Sequence, residues 1–117
     1  MFRFEKLEVW QVATATADDV YRVTRTFPAD ERFGLTNQAR RAAVSVAANI
    51  AEGSGRSTAR DRVRFVEIAY GSLMELVSHL EIARRQQFLK QSDFDELYER
   101  CDRLARMLSG YRDSIKE

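Results

Sequence analysis

Proline occurs once in these 117 residues, at position 28, and glycine five times. Those two residues are the strongest breakers of regular backbone, so a chain this poor in them runs in long elements and its apolar spacing declares their type. The spacing here is helical. From Leu7 the apolar and small side chains fall at Trp10, Ala13, Ala17, Val20, Tyr21, Thr24 and Phe27. This 3-4 pattern predicts an amphipathic helix that Pro28 stops, because the residue before a proline is pushed out of the helical region. Ala29 to Leu35 reads as a connection in which Gly34 is free to take positive φ. Thr36 is the expected cap of a second helix with an inner stripe of Ala39, Ala43, Val46, Ala47 and Ile50, ended by Gly53, Ser54 and Gly55. Thr58 and Asp61 have the spacing of a capping box for a third helix, running to about Gln86 with Val66, Ala69, Tyr70, Leu73, Leu76, Val77 and Leu80 inside. Phe88 and Leu89 are expected to fold back under the bundle end. Ser92 is the expected cap of a fourth helix, with Phe94, Leu97, Tyr98, Cys101, Leu104, Ala105, Leu108 and Tyr111 on its inner face. Four helices with short connections predict an all-α, up-down-up-down four-helix bundle, with 1–117 as a single domain.

Composition narrows the function. Hydrophobic residues make up 44% of the chain, and 19 basic residues against 18 acidic ones leave a net charge of +1, which excludes a disordered chain. One cysteine allows no intrachain disulfide, and one cysteine with one histidine builds no structural zinc site without a partner subunit. No apolar run approaches the roughly 18 residues of a membrane span, and the acids in MFRFEKLEVW break any signal-peptide core. The expectation is a soluble, cytoplasmic protein. General acid and base chemistry has one histidine to draw on, His79, whose neighbour Glu75 lies one helical turn earlier as in ordinary surface pairs. A di-iron carboxylate bundle needs Glu-x-x-His on two helices, and the spacing here is Glu75-x-x-x-His79 with no second histidine. Cys101 occupies a core position, and Gly53 to Gly55 follows a helix instead of a strand, so it is a helix end and not a phosphate loop. No enzyme activity, metal or cofactor is expected.

Two features exceed what a lone bundle requires. Val44, Ala48 and Ala51 lie off the inner stripe of the second helix, and Phe65, Ile68, Ser72 and Ile82 form a second face on the third, where Gly71 costs about 1 kcal/mol relative to alanine. Either both helices are central in one bundle, or this is a self-association surface. The second feature is arginine, 16 of the 19 basic residues. Arg40 and Arg41 open the second helix, and Arg56, Arg60, Arg62 and Arg64 crowd the turn into the third. Guanidinium forks suit phosphates or the carboxylates of Glu52, Glu67 and Glu75 equally well.

The runs FEKLEVWQ at 4–11, FP at 27–28, E-x-FGLT-x-Q at 31–38, RRAAVSVAANIAEGSGR at 40–56 and RFVEIAYGSLMEL at 64–76 resemble a bacterial family of four-helix-bundle proteins. It includes proteins encoded in intervening sequences of large-subunit ribosomal RNA and the accessory protein of diversity-generating retroelements. The resemblance covers roughly residues 4–82; in the connection between the third and fourth helices, the glycine it leads one to expect is replaced around Gln86 to Phe88. It implies a closed four-helix bundle that assembles as a ring-shaped homopentamer, in a family most of whose members have no assigned activity; with the surplus apolar face, this makes Val44, Ala48, Ala51, Phe65 and Ile68 the expected oligomer interface. The retroelement relative binds RNA and a reverse transcriptase, and it is markedly more basic than this chain. An RNA-associated or adaptor role follows as the expectation, with Arg40, Arg41, Arg56, Arg60 and Arg62 as the nucleic-acid contacts. Asn49, Glu52, Arg64 and Glu75, flanked by apolar residues, are expected to form a structural polar network between the second and third helices, within or across subunits. The alternatives are an adaptor for a protein partner such as a reverse transcriptase, and an enzyme whose site is shared between subunits from Asn49, Glu52, Arg56 and Glu75.

Overall fold

The computed structural model describes residues 1–116. A 3-10 turn, Arg3–Lys6, leads into α1 (Glu8–Thr24); a second, Ala29–Glu31, precedes α2 (Leu35–Ser54), followed by α3 (Ala59–Arg85) and α4 (Gln91–Ser114). Each helix packs on the next and α4 closes against α1, while the backbones of the diagonal pairs, α1 with α3 and α2 with α4, stay apart. The result is the expected up-down-up-down four-helix bundle, 46 Å long and about half as wide. No strand occurs among the described residues, and no helix among them is long and apolar enough to cross a membrane.

The predicted stripes are the core. Ala39, Ala43, Val46, Ala47 and Ile50 of α2 are buried against Val66, Ala69, Leu73, Leu76 and Leu80 of α3, and Leu97, Cys101, Leu104 and Leu108 of α4 complete the interior. Small residues on α2 let its backbone approach α3 closely, which is why this pair has the most extensive contact in the bundle. Burial pushes the Cys101 thiol up to about 12, so it behaves as a small apolar side chain. The tyrosines depart from expectation. Tyr21, Tyr70 and Tyr98, each placed on an inner stripe by its spacing, are 39%, 37% and 53% exposed. They stand at the stripe edges, where a ring can cover apolar surface while its hydroxyl stays in water.

Helix ends differ more. α1 stops at Thr24, ahead of Pro28, and Phe27 turns in from the connection to meet Phe88 with ring centroids 6.0 Å apart. Thr36 does not cap α2: it is buried inside the first turn, and the capping acceptor is Glu31 Oε1, which takes the Leu35 N–H at 3.1 Å. Gly34 keeps a negative φ of -107°. Gly53 lies within α2, where an added Cβ would stand 2.7 Å from Phe65 Cβ; its role is close approach of α3, and Gly55 is the cap. Thr58 caps α3 as expected, its Oγ1 accepting the Asp61 N–H. Ser92 sits inside α4, whose cap is Lys90 without a side-chain bond. Leu89 is buried and Phe88 half-buried under the bundle end, as the spacing predicted.

Candidate functional site

The outer face shared by α2 and α3 gathers most of the residues singled out from the sequence. Its centre is polar and tied across the seam. Ser45 Oγ and Ser72 Oγ share a hydrogen bond of 2.8 Å, and Asn49 Nδ2 donates to the Ser45 carbonyl at 2.8 Å and to its hydroxyl at 3.0 Å. The link between the two helices therefore runs through Asn49, Ser45 and Ser72. Within one chain, Asn49, Glu52, Arg64 and Glu75 do not bond to one another, which corrects the expectation of a network among them there. Glu52, Arg64 and Glu75 are exposed: Glu52 pairs with Arg56 at 2.5 Å, and Glu75 stands 3.7 Å from His79 Nε2. The serine link escaped the sequence reading because two small hydroxyls at distant positions carry no spacing signal.

Around this centre the face is apolar. Ile68 is 40% exposed and Ala48 is exposed, while Ala51 and Phe65 are half-buried; Val44, 46% exposed, stands on the side of α2 toward α1, where it shares a hollow with Tyr21 and Arg40. A Cβ at Gly71 would meet nothing within 4 Å, so inside the single chain this mid-helix glycine has no packing reason. Toward the bundle end, a hollow of about 380 Å³ is lined by Gln38, Arg41, Ala42, Ser45 and Glu75. Just beyond it, the His79 side chain is 12% exposed, and its Nε2 has no hydrogen-bond partner.

The arginines form two groups and not one patch. Arg40 and Arg41 stand near the start of α2, and Arg56, Arg60 and Arg62 near its end, about 24 Å away at 1.5 Å per residue. Several are held in place. Arg40 Nε donates to Thr24 Oγ1 at 2.8 Å and its guanidinium lies over the Tyr21 ring at 4.7 Å. Arg56 lies over the Phe65 ring at 4.5 Å, and Arg62 Nη1 donates to the Arg56 carbonyl at 3.0 Å. Neither Arg41 nor Arg60 makes an ion pair among the described residues.

Elsewhere the surface offers little chemistry. A hollow of about 730 Å³ lies beside the α3–α4 connection and includes Arg22, Arg84 and Lys90. Two of these cations are engaged. Arg22 reaches Asp19 and Asp93, and Arg84 hydrogen-bonds Glu81, holding that carboxyl down to about 2. No group of three or more His, Cys, Asp or Glu side chains that could hold a metal ion occurs among the described residues.

These observations define a closed all-α bundle whose distinguishing feature is an outer helix face instead of a pocket. The chain belongs to the 23S rRNA-intervening sequence protein family, whose model matches residues 5–110. In structure it is similar to a protein of unknown function from the S23 ribosomal protein family of Bacteroides thetaiotaomicron, solved at 1.70 Å. The TM-score is 0.83, over 91% of this chain and 99% of that one, at 17% identity, so the likeness is one of fold. A search of curated proteins by sequence found no match.

Proposed function

We propose that this protein works without chemistry of its own, as a self-associating bundle whose α2–α3 face closes on further copies, five of them in the assembly that the family resemblance implies. The observation that carries the reading is the exposed apolar pair Ala48 and Ile68 beside the open Gly71, with Val44 exposed one turn away on α2. Apolar surface in a contiguous group, flanked by charges, is the usual mark of a protein contact. Polar residues expected to bond across subunits have acceptors to spare there: Glu75 is solvent-facing at 62% of its side chain. Light scattering coupled to size exclusion at micromolar concentration tests this reading. A pentamer of 13.5 kDa chains gives a mass near 68 kDa, and a 13.5 kDa species would overturn the proposal.

A second element of the reading is RNA contact. It is supported by Arg41 and Arg60, which have no carboxylate partner, and by the family's link to ribosomal RNA intervening sequences. The two arginine groups are too far apart to share one phosphate, so binding has to come from several weak contacts repeated around an assembly. Such binding is sequence-independent and falls by orders of magnitude between about 50 and 200 mM salt. No aromatic platform accompanies Arg60 and Arg62, and Phe65 is already covered by Arg56, which argues against base stacking. An anisotropy titration with structured RNA should show binding at low salt that the Arg56/Arg60/Arg62→Ala variant loses. No binding by the wild type at about 50 mM salt, or equal binding by the variant, would favour a protein partner instead.

A further inference from the structure

Beside the end of α1 and the start of α2, a hollow of about 480 Å³ is lined by Tyr21, Asn37, Arg40, Arg41, Val44 and Ser45. No carboxylate is among them. The hollows at the α3–α4 connection and on the α2–α3 face each contain one, Asp93 and Glu75. Here the charge of two arginines stands uncompensated: neither Arg40 nor Arg41 makes an ion pair among the described residues, and neither does Arg25, one turn beyond Tyr21 on α1.

Arg40 is held before any ligand arrives. Its Nε donates to Thr24 Oγ1 at 2.8 Å, and its guanidinium lies 4.7 Å from the centre of the Tyr21 ring. Thr24 is anchored in turn, its Oγ1 donating to the Val20 carbonyl at 2.7 Å. These contacts use Nε and one face of the guanidinium plane, and they leave Nη1 and Nη2 without a hydrogen bond among the described residues. A guanidinium already fixed in this way gives up less entropy when it takes a ligand. Asn37 lies three residues before Arg40 and four before Arg41, so it stands one helical turn from both. We propose that this hollow binds the phosphate monoester of a nucleotide, with the phosphate on Arg40 and Arg41 and the nucleoside against Val44 and the edge of Tyr21. Near pH 7 such a monoester carries a charge of about −1.5 to −2 and three terminal oxygens, which two guanidinium forks match in both charge and number of acceptors. A diester inside a nucleic-acid chain carries a single charge and matches less well. Val44, 46% exposed, supplies an apolar wall, and the volume lies within the range of about 300–1,000 Å³ usual for small-molecule sites. Two sources offer this chemistry, a free mononucleotide and the 5′-phosphorylated end of an RNA. The second deepens the RNA reading above, since Arg40 and Arg41 then hold the end of a chain that Arg56, Arg60 and Arg62 contact along its length; the first stands without that reading.

Calorimetric titration at about 50 mM salt tests the site with AMP and with adenosine, which lacks only the phosphate. AMP should bind and adenosine should not. Arg40→Gln and Arg41→Ala should each weaken AMP binding about tenfold or more, the worth of a lost charge-assisted bond, with helix content by circular dichroism and mass by light scattering unchanged. Arg41 is exposed, so its variant carries the test even where loss of the Thr24 bond unfolds Arg40→Gln. Anisotropy with two RNA oligonucleotides labelled at the 3′ end, one bearing a 5′-phosphate and the other a 5′-hydroxyl, separates the sources. A preference of about tenfold for the phosphorylated end, lost in Arg41→Ala, assigns the site to RNA ends, whereas AMP binding without that preference assigns it to a free nucleotide. The inference is overturned if neither AMP nor the 5′-phosphate binds better than its unphosphorylated counterpart, or if the gain survives substitution of Arg41. Loss of RNA binding in Arg56/Arg60/Arg62→Ala would uphold the RNA reading even then, so the two fail separately.

Discussion

Gln87 is the one non-glycine residue with positive φ among those described, at 65°. It follows α3 in a Schellman arrangement: Phe88 N–H donates to the Ala83 carbonyl at 2.9 Å and Gln87 N–H to the Arg84 carbonyl at 3.0 Å. A side chain in the left-handed region costs roughly 1 kcal/mol, and glycine avoids it. Here lies the physical reason for the glycine that the family resemblance leads one to expect between α3 and α4. Gln87→Gly should therefore raise the melting temperature by a few degrees, read by circular dichroism, without changing the assembly. Gly53 presents the opposite case. Its φ is ordinary, yet a methyl group there would collide with Phe65 Cβ, so Gly53→Ala should destabilise by about 1–3 kcal/mol.

Among the helices, the α1–α4 seam differs in kind from the α2–α3 seam. It is rimmed by ion pairs: Asp19–Arg100 at 2.9 Å, Glu8–Arg103 at 3.3 Å and Arg22–Asp93 at 3.9 Å. These side chains are 26–71% exposed, so water and salt screen them and each is worth less than about 1 kcal/mol. Beneath them Leu97 and Leu104 are buried without remainder to solvent. α4 is held by its leucines, with the charges setting its register. Chemical denaturation should show Leu104→Ala costing about 2–5 kcal/mol and Arg100→Ala less than about 1 kcal/mol. Comparable losses for the two variants would mean that the ion pairs carry the seam.

The whole molecule presents exposed apolar side chains on α2 and α3 and arginines in two groups, and these answer differently to ionic strength. Burial of apolar side chains does not weaken as charges are screened, whereas phosphate contacts do. If the patches make the assembly and the arginines meet RNA, light scattering at about 1 M salt should return the same mass as at about 0.15 M, while RNA binding is lost. Dissociation of the particle in high salt would place charged contacts, and not Val44, Ala48 and Ile68, at the heart of the contact.

The alternation of apolar and polar residues along the chain was enough to define four helices, their order and most of the core, though not Val9, Val23, Ala42, Ala59 or Ala83, because burial on a helix repeats every three to four positions and is written locally. Thr58 could be recognised as a cap for the same reason, its partner Asp61 being three residues away. Distances between remote residues carry no such local signal. That Glu31 caps α2 in place of Thr36, and that Gly53 exists for Phe65, depends on where a neighbouring turn or helix comes to rest. The Asn49–Ser45–Ser72 link joins positions 27 residues apart, and only packing reveals it. The same is true of the surface: spacing put Tyr70 and Tyr98 on inner stripes, and the packed bundle left them outside, because the core between four helices has room for leucine at the centre of each stripe and only water can satisfy a phenol hydroxyl at its edge.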